Sequence, residues 1–262
     1  MPSIWSGTIS FGLVSIPISL VPATQSSSLE LNMLDKRDHE RIRYKKVNGE
    51  TGKEVPEENI VKGYEYDGKR VVLEDADFVA AAPEKSQMIQ LENFIDMSEV
   101  DPIYFETAYY ATTDKKGAKA YRLLTQALEK TGKAGLGRFV LRTAENLCLV
   151  VPVNGILVIQ KLHFPEEIRP VDKLVQEPVK IEKEELNTAV SYISQTSKKF
   201  DISDYHNMYS RALLKLIEDK AKGKVKDKKK VVETTTTKRS DNLLDLLKQS
   251  LNSTQQPRKA AR

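Results

Sequence analysis

The chain has 262 residues, of which 40% are apolar and 30% charged. That length allows one large domain or a domain with appendages, and the composition suits a globular body with a highly charged extension. No apolar run approaches the ~18 residues that a membrane-spanning helix needs, which excludes a helical membrane protein and leaves no membrane partner to expect.

The net charge of +4 is unevenly placed. From Lys220 to Arg262, 13 Lys and Arg face 4 acids, a balance of +9, which leaves −5 for residues 1–219. A basic tail on a folded body is a common polyanion-binding arrangement, because each phosphate it neutralises releases counterions. A tail that merely solubilises the chain is the alternative.

Met1 to Leu20 alternates apolar and small polar residues and carries no Lys or Arg before its hydrophobic stretch. It lacks the charged start of a signal peptide and reads as two short strands around Gly12. Pro17 has no N–H for a ladder, so the second strand is expected at an edge or beginning with a bulge. Arg41 to Val47 alternates too and is expected to be a strand with one cationic face, Arg41, Arg43 and Lys45, opposite Ile42 and Tyr44. Lys62 to Leu73 reads as a hairpin about Asp67-Gly68. Lys116 to Lys130 places Ala120, Leu123, Leu124, Ala127 and Leu128 at helical spacing, with Gly132 where a C-cap wants glycine. From Arg138 to Phe164 the chain reads as a three-stranded meander with turns at Glu145-Asn146 and Asn154-Gly155.

After Pro178 the pattern turns helical. Glu182 to Lys199 and Asn207 to Lys220 carry their apolar residues at helical intervals. Residues 222–240 are Lys- and Thr-rich with almost no apolar content, as in a flexible linker. Ser240 to Leu251 is a short amphipathic segment with Ser240 or Asp241 placed to cap a helix. The expected fold class is mainly β with α (α+β). The expected domains are a β core over 1–180, a C-terminal helical arm over 181–221, the linker over 222–240, the amphipathic segment over 241–252 and a disordered basic end over 253–262.

Chemistry is sparse. His39, His163 and His206 lie in different elements without metal-ligand spacing. Cys148 sits in the apolar run Leu147 to Val153 as a small buried hydrophobe, and a single cysteine without a disulfide or zinc partner fits a reducing cytoplasm. Gly132 to Arg138 looks like a phosphate-cradling loop but runs from helix to strand and lacks the Lys-Ser or Lys-Thr ending. Acid pairs such as Asp75 with Asp77 and Glu57 with Glu58 stand where turns or helix starts already favour carboxylates. The chain is therefore expected to be no enzyme and to need no metal or cofactor.

The segment Ile4-Trp5-Ser6-Gly7-Thr8-Ile9-Ser10-Phe11-Gly12-Leu13-Val14-Ser15-Ile16-Pro17-Ile18 closely resembles the start of bacterial Ku proteins. Arg41 to Val47, Gly52 to Pro56, Ile60 to Tyr66, Asp101 to Glu106 and Lys119 to Leu124 resemble further motifs of that family in the expected order. The likeness covers about residues 2 to 222. Where many relatives carry Cys-x-x-Cys before Gly-Lys-Glu-Val, this chain has Asn48-Gly49-Glu50-Thr51, which removes any metal role at that loop.

The resemblance implies a Ku-type β-barrel core with an inserted helix, a C-terminal helical arm and a flexible basic tail. It implies a ring-forming homodimer threaded onto double-stranded DNA ends in the bacterial nucleoid. DNA contacts are then expected from Arg41, Arg43, Lys45 and Lys46, next from Lys115, Lys116, Lys119, Arg138 and Arg142, and in the tail from Lys222, Lys224, Lys226, Lys228, Lys229 and Lys230. Leu243, Leu244, Leu246, Leu247 and Leu251 resemble the segment that engages an ATP-dependent DNA ligase in non-homologous end joining. Two rivals remain: an architectural protein that coats DNA without preferring ends, and a metal-dependent nuclease using the scattered carboxylates.

Overall fold

The alternating start forms two long strands, β1 (Trp5–Phe11) and β2 (Val14–Pro22), joined at Gly12, whose φ of 56° lies where glycine is least strained. The computed structural model describes residues 2–81, 87–142, 144–171, 174, 178–224 and 243–254. They divide into two compact units, residues 1–26 with 30–170, and residues 27–29 with those from 171 onward.

In the first unit a small hairpin, β3 (Lys62–Tyr66) and β4 (Lys69–Leu73), turns at Asp67-Gly68 as expected and leads into the short helix α1 (Asp75–Ala81). Asp75 and Asp77 occupy its first turn, where the helix dipole favours them. Then come β5 (Met88–Asp96), β6 (Phe105–Thr112), the helix α2 (Ala118–Thr131), β7 (Lys133–Leu141), β8 (Ala144–Val153) and β9 (Ile156–Leu162). Seven strands close a barrel in the order β1-β2-β6-β9-β8-β7-β5. Its seam is a short parallel pairing, Thr8 with Met88 to Ser10 with Gln90, while the other ladders are antiparallel.

The inward face of the barrel buries Ile9, Ile16, Ile18, Leu20, Ile89, Phe139, Cys148, Val150, Leu157 and Ile159, and α2 adds Leu124 and Leu128 to the same core. Side chains on β8 alternate between this core and an outer cluster, where Leu149 packs with Ala134 and Leu162 beneath Met97, Val100 and Tyr104. A strand covered on both faces reads as a continuous apolar run, which is why Leu147 to Val153 shows no alternation. Trp5 ties β1 to β7 by donating its indole N–H to the Val140 carbonyl at 3.0 Å and meeting Phe139 edge-on at 5.9 Å.

Three expectations need correction. Arg41 to Val47 is not a strand: only two isolated bridges, Leu34 with Arg41 and Val47 with Glu54, flank it. Alternation supplies a face, but a strand also needs a neighbour to pair with. The turn placed at Glu145-Asn146 lies instead at Arg142, whose φ is 63°, and both residues belong to β8. The glycine-rich stretch after Gly132 is the first half of β7, not a loop. A Cβ at Gly137 would stand 2.4 Å from the Gln90 carbonyl oxygen, so close strand contact explains that glycine without any phosphate.

Pro17 falls between the two possibilities offered for it. β2 is paired on both sides, but its ladder with β6 runs only from Ser19 to Pro22, and at Pro17 the carbonyl accepts from the Thr113 hydroxyl at 2.7 Å. The missing N–H therefore interrupts nothing.

In the second unit the expected helices appear as α3 (Lys183–Thr196), α4 (Met208–Ala221) and α5 (Leu243–Thr254). Glu182 and Glu185 form a capping box at the start of α3. Asn207 caps α4 by accepting from the Ser210 N–H at 3.0 Å, and its amide donates to Ser27. The capping residues expected for α5, Ser240 and Asp241, lie outside the described residues. No described helix is long and apolar enough to cross a membrane.

Tyr121 fastens α2 to the barrel wall. Its hydroxyl donates to the Ala111 carbonyl and accepts from the Leu157 N–H, both at 2.7 Å. Tyr121→Phe removes both bonds and strands a backbone N–H between β6 and β8, so it should cost about 1–3 kcal/mol of unfolding free energy. Urea denaturation checks this, and a loss under about 0.5 kcal/mol would mean the phenol does not hold the helix.

Candidate nucleic-acid interface

Between the barrel strands β2 and β5 the chain makes a long excursion. From Glu30 to Ala81 none of its side chains is buried. Local bonds shape it. The Asp35 carboxylate accepts from the Arg37 backbone and guanidinium, and the guanidinium bond holds the Asp35 carboxyl below the usual carboxylate range. Asn48 Oδ1 accepts from the N–H groups of Glu50 and Thr51, turning the chain so that Lys46 and Val55 meet.

This excursion carries the four leading basic candidates, and it sorts them into two kinds. Lys45 donates to Glu54 at 2.6 Å, and Lys46 pairs with Glu57. Arg41 and Arg43 are exposed and form no ion pair among the described residues. Both lysine pairs are surface pairs, worth ~0–1 kcal/mol, and a phosphate can replace the carboxylate at little loss. The acids were invisible as partners in the sequence because Glu54 lies nine residues from Lys45, and only the Asn48 turn brings them together.

Lys115 and Lys116 precede α2, and Lys119 lies in its first turn, all three exposed. A groove of about 970 Å³ runs beside this helix, lined among others by Lys119, Arg122, Thr113, Gln126 and Gly155. Arg122 was not anticipated, although its position three residues after Lys119 places both on one helix face. Arg138 stands 3.4 Å from Glu92 and 3.7 Å from Glu145 on the barrel wall, half-exposed surface pairs of the same kind as those of Lys45 and Lys46. Arg142 is exposed at the β7–β8 turn.

In the second unit Lys222 and Lys224 follow α4, where Gly223 with φ of 67° ends the helix and the Lys224 N–H bonds back to Asp219. Lys226, Lys228, Lys229 and Lys230 lie outside the described residues. On α5, Leu244, Leu247 and Leu251 are half-buried and Leu246 is exposed; the Leu243 side chain lies outside the description.

Among the described residues no group of three His, Cys, Asp or Glu side chains could hold a metal ion. Glu106 pairs with Lys161 at 2.9 Å, and His163 stands 3.4 Å from Glu167. The Glu167 carboxyl is held below its ordinary range, chiefly because it accepts from the Phe164 N–H. Cys148 is fully buried, and desolvation pushes its thiol up to about 12, far from a reactive thiolate.

The architecture and its motifs agree with a known family: the Ku70/Ku80 beta-barrel domain matches residues 10–188, from β1 into α3. The chain belongs to the Ku family. A Pseudomonas aeruginosa relative named "Non-homologous end joining protein Ku" is 40% identical over 96% of this chain and 88% of its own length. Relatives of the same name from Opitutus terrae and Archaeoglobus fulgidus are 38% and 36% identical, over 97% and 96% of this chain. The excursion, α2 and the barrel strands from β2 onward fall within the Ku domain match, which begins inside β1, whereas α4 and α5 lie beyond it.

Proposed function

We propose that this Ku-family chain binds double-stranded DNA ends in non-homologous end joining, as a homodimeric ring that protects ends and recruits an ATP-dependent DNA ligase without itself catalysing a reaction. One observation carries the reading. The stretch from Glu30 to Ala81, within the Ku domain match, buries none of its side chains, exposes Tyr44 at 79% and Tyr66 at 70%, and carries Arg41 and Arg43. Such a stretch is built to lie against something else, and its cations suit phosphates. Phosphate contacts position a protein without reading sequence, which is what an end-binding protein needs.

A second copy of the chain suits the helical arm for a similar reason. Leu186, Val190 and Ile193 on α3, and Met208, Leu214 and Ile217 on α4, are all more than a third exposed. Exposed apolar surface of this extent marks an interaction face, and a two-fold pair covers it on both copies at once. Within this reading residues 1–180 form the barrel and bridging region, 181–221 the arm that meets the partner copy, 222–240 a basic tether, and α5 the ligase-binding segment. The tether lysines, from Lys222 to Lys230, add phosphate contacts.

The decisive experiment compares binding to a linear duplex with binding to the same duplex closed by bulky hairpins at both ends. Open ends should be strongly preferred; equal binding would replace the ring by an architectural protein that coats DNA anywhere. With open ends, the double substitution Arg41→Ala and Arg43→Ala should lower the slope of log K against log salt by about 1.8. An unchanged slope would remove both residues from the interface. Ile193→Asp should shift the protein from dimer to monomer in sedimentation velocity, and an unaltered dimer would place the contact elsewhere.

A further inference from the structure

Helix α5 lies along α3 rather than apart from it. Lys248 Nζ donates to Glu184 Oε1 at 2.8 Å, although the two side chains remain 50% and 66% exposed. A groove of about 580 Å³ between the helices is lined by Glu184, Asn187, Thr188 and Ser191 of α3 with Lys248 and Leu251 of α5. The half-buried residues of α5 are Leu244, Leu247, Ser250 and Leu251, one stripe of the helix, while Asp245, Leu246 and Gln249 face solvent.

The half-buried residues of α3 are Glu185, Thr188, Ala189 and Tyr192, which at 3.6 residues per turn form one face of the helix, and α5 packs there. Glu184, Asn187 and Ser191 flank that face, while Leu186, Val190 and Ile193 lie away from it and stay open, with Ile193 at 62% exposure. Two consequences follow. The dock holds α5 weakly, since no residue described on either helix is fully buried. It also leaves free the surface that a second copy would cover, so docking and dimerisation do not compete. Residues 222–242 tether α5 to α4, which raises the local concentration of the helix at its own dock.

We propose that the Thr188–Ala189–Tyr192 face of α3 is a resting dock for α5 of the same chain, latched at its edge by the Glu184–Lys248 ion pair, and that the ligase must displace this contact to reach the leucines. The gating half of the inference rests on the reading of α5 as the ligase-binding segment. The docking half does not.

The test uses the full chain with nitroxide labels at Ser194→Cys and Gln249→Cys, both exposed positions, while the buried native Cys148 stays unlabelled. Pulsed electron-spin distance measurements should give one short-distance population, lost in Glu184→Lys and restored in Glu184→Lys with Lys248→Glu. Dilution with unlabelled protein should leave it unchanged. No short population, or one indifferent to Glu184→Lys, overturns the dock; loss on dilution overturns its being intramolecular. In parallel, purified ATP-dependent ligase of the same organism should bind the Glu184→Lys protein about twofold to fivefold more tightly than the original, with DNA-end affinity unaltered. If the distances behave as expected but ligase affinity does not move, the dock stands and the gating is overturned. If, in addition, Leu247→Asp leaves ligase binding intact, the reading of α5 as ligase segment falls with it.

Discussion

The parallel seam between Thr8–Ser10 and Met88–Gln90 is the constraint on which the rest of the molecule depends. The hairpin of β1 and β2 already reverses the chain, so β2 ends at the barrel end from which β5 starts, and the link between them has only to pass the end of β1. In this protein that link is the exposed excursion that carries Arg41, Arg43, Lys45 and Lys46. Pairing β1 with β5 removes the barrel's open edges, while the link across the seam is a long segment that the core does not cover.

The interface proposed on that segment would let residues 1–219, with a net charge of −5, meet a polyanion. Local potential governs association more than net charge does, and the excursion separates its cations by environment. Arg41 and Arg43 form no ion pair among the described residues, whereas Lys45 and Lys46 hold carboxylates that a phosphate can displace. Arg138 likewise pairs with Glu92 and Glu145 while its side chain stays half exposed.

The second unit shows the same incompleteness in helical form. α3 and α4 have sound caps and helical periodicity, but no described residue on either is fully buried. Helices of this length owe most of their stability in water to packing, so the arm has a reason to seek the second copy proposed for it. α5 covers one face of α3 and leaves Leu186, Val190 and Ile193 open, so the second copy proposed for the arm would meet a different surface from α5.

Sequence by itself determined the elements whose evidence is local. The hairpin at Asp67-Gly68, the helix ended by Gly132 and the helices of the arm follow from turn chemistry and from apolar spacing within a few residues. The family could be recognised from ordered motifs for the same reason. What tertiary structure alone decided depends on residues far apart in the chain. Alternation in Arg41 to Val47 specifies a face but cannot supply the pairing neighbour, so no strand forms there. Gly135 and Gly137 signal a loop by composition, yet both lie in β7, and at Gly137 the β5 backbone approaches so closely that a Cβ would stand 2.4 Å from the Gln90 carbonyl oxygen. The state of Lys45 depends on a carboxylate nine positions away, and that of Lys248 on Glu184, 64 positions away. Local periodicity carries no information about such encounters, because they are set by which surfaces remain after the barrel has closed.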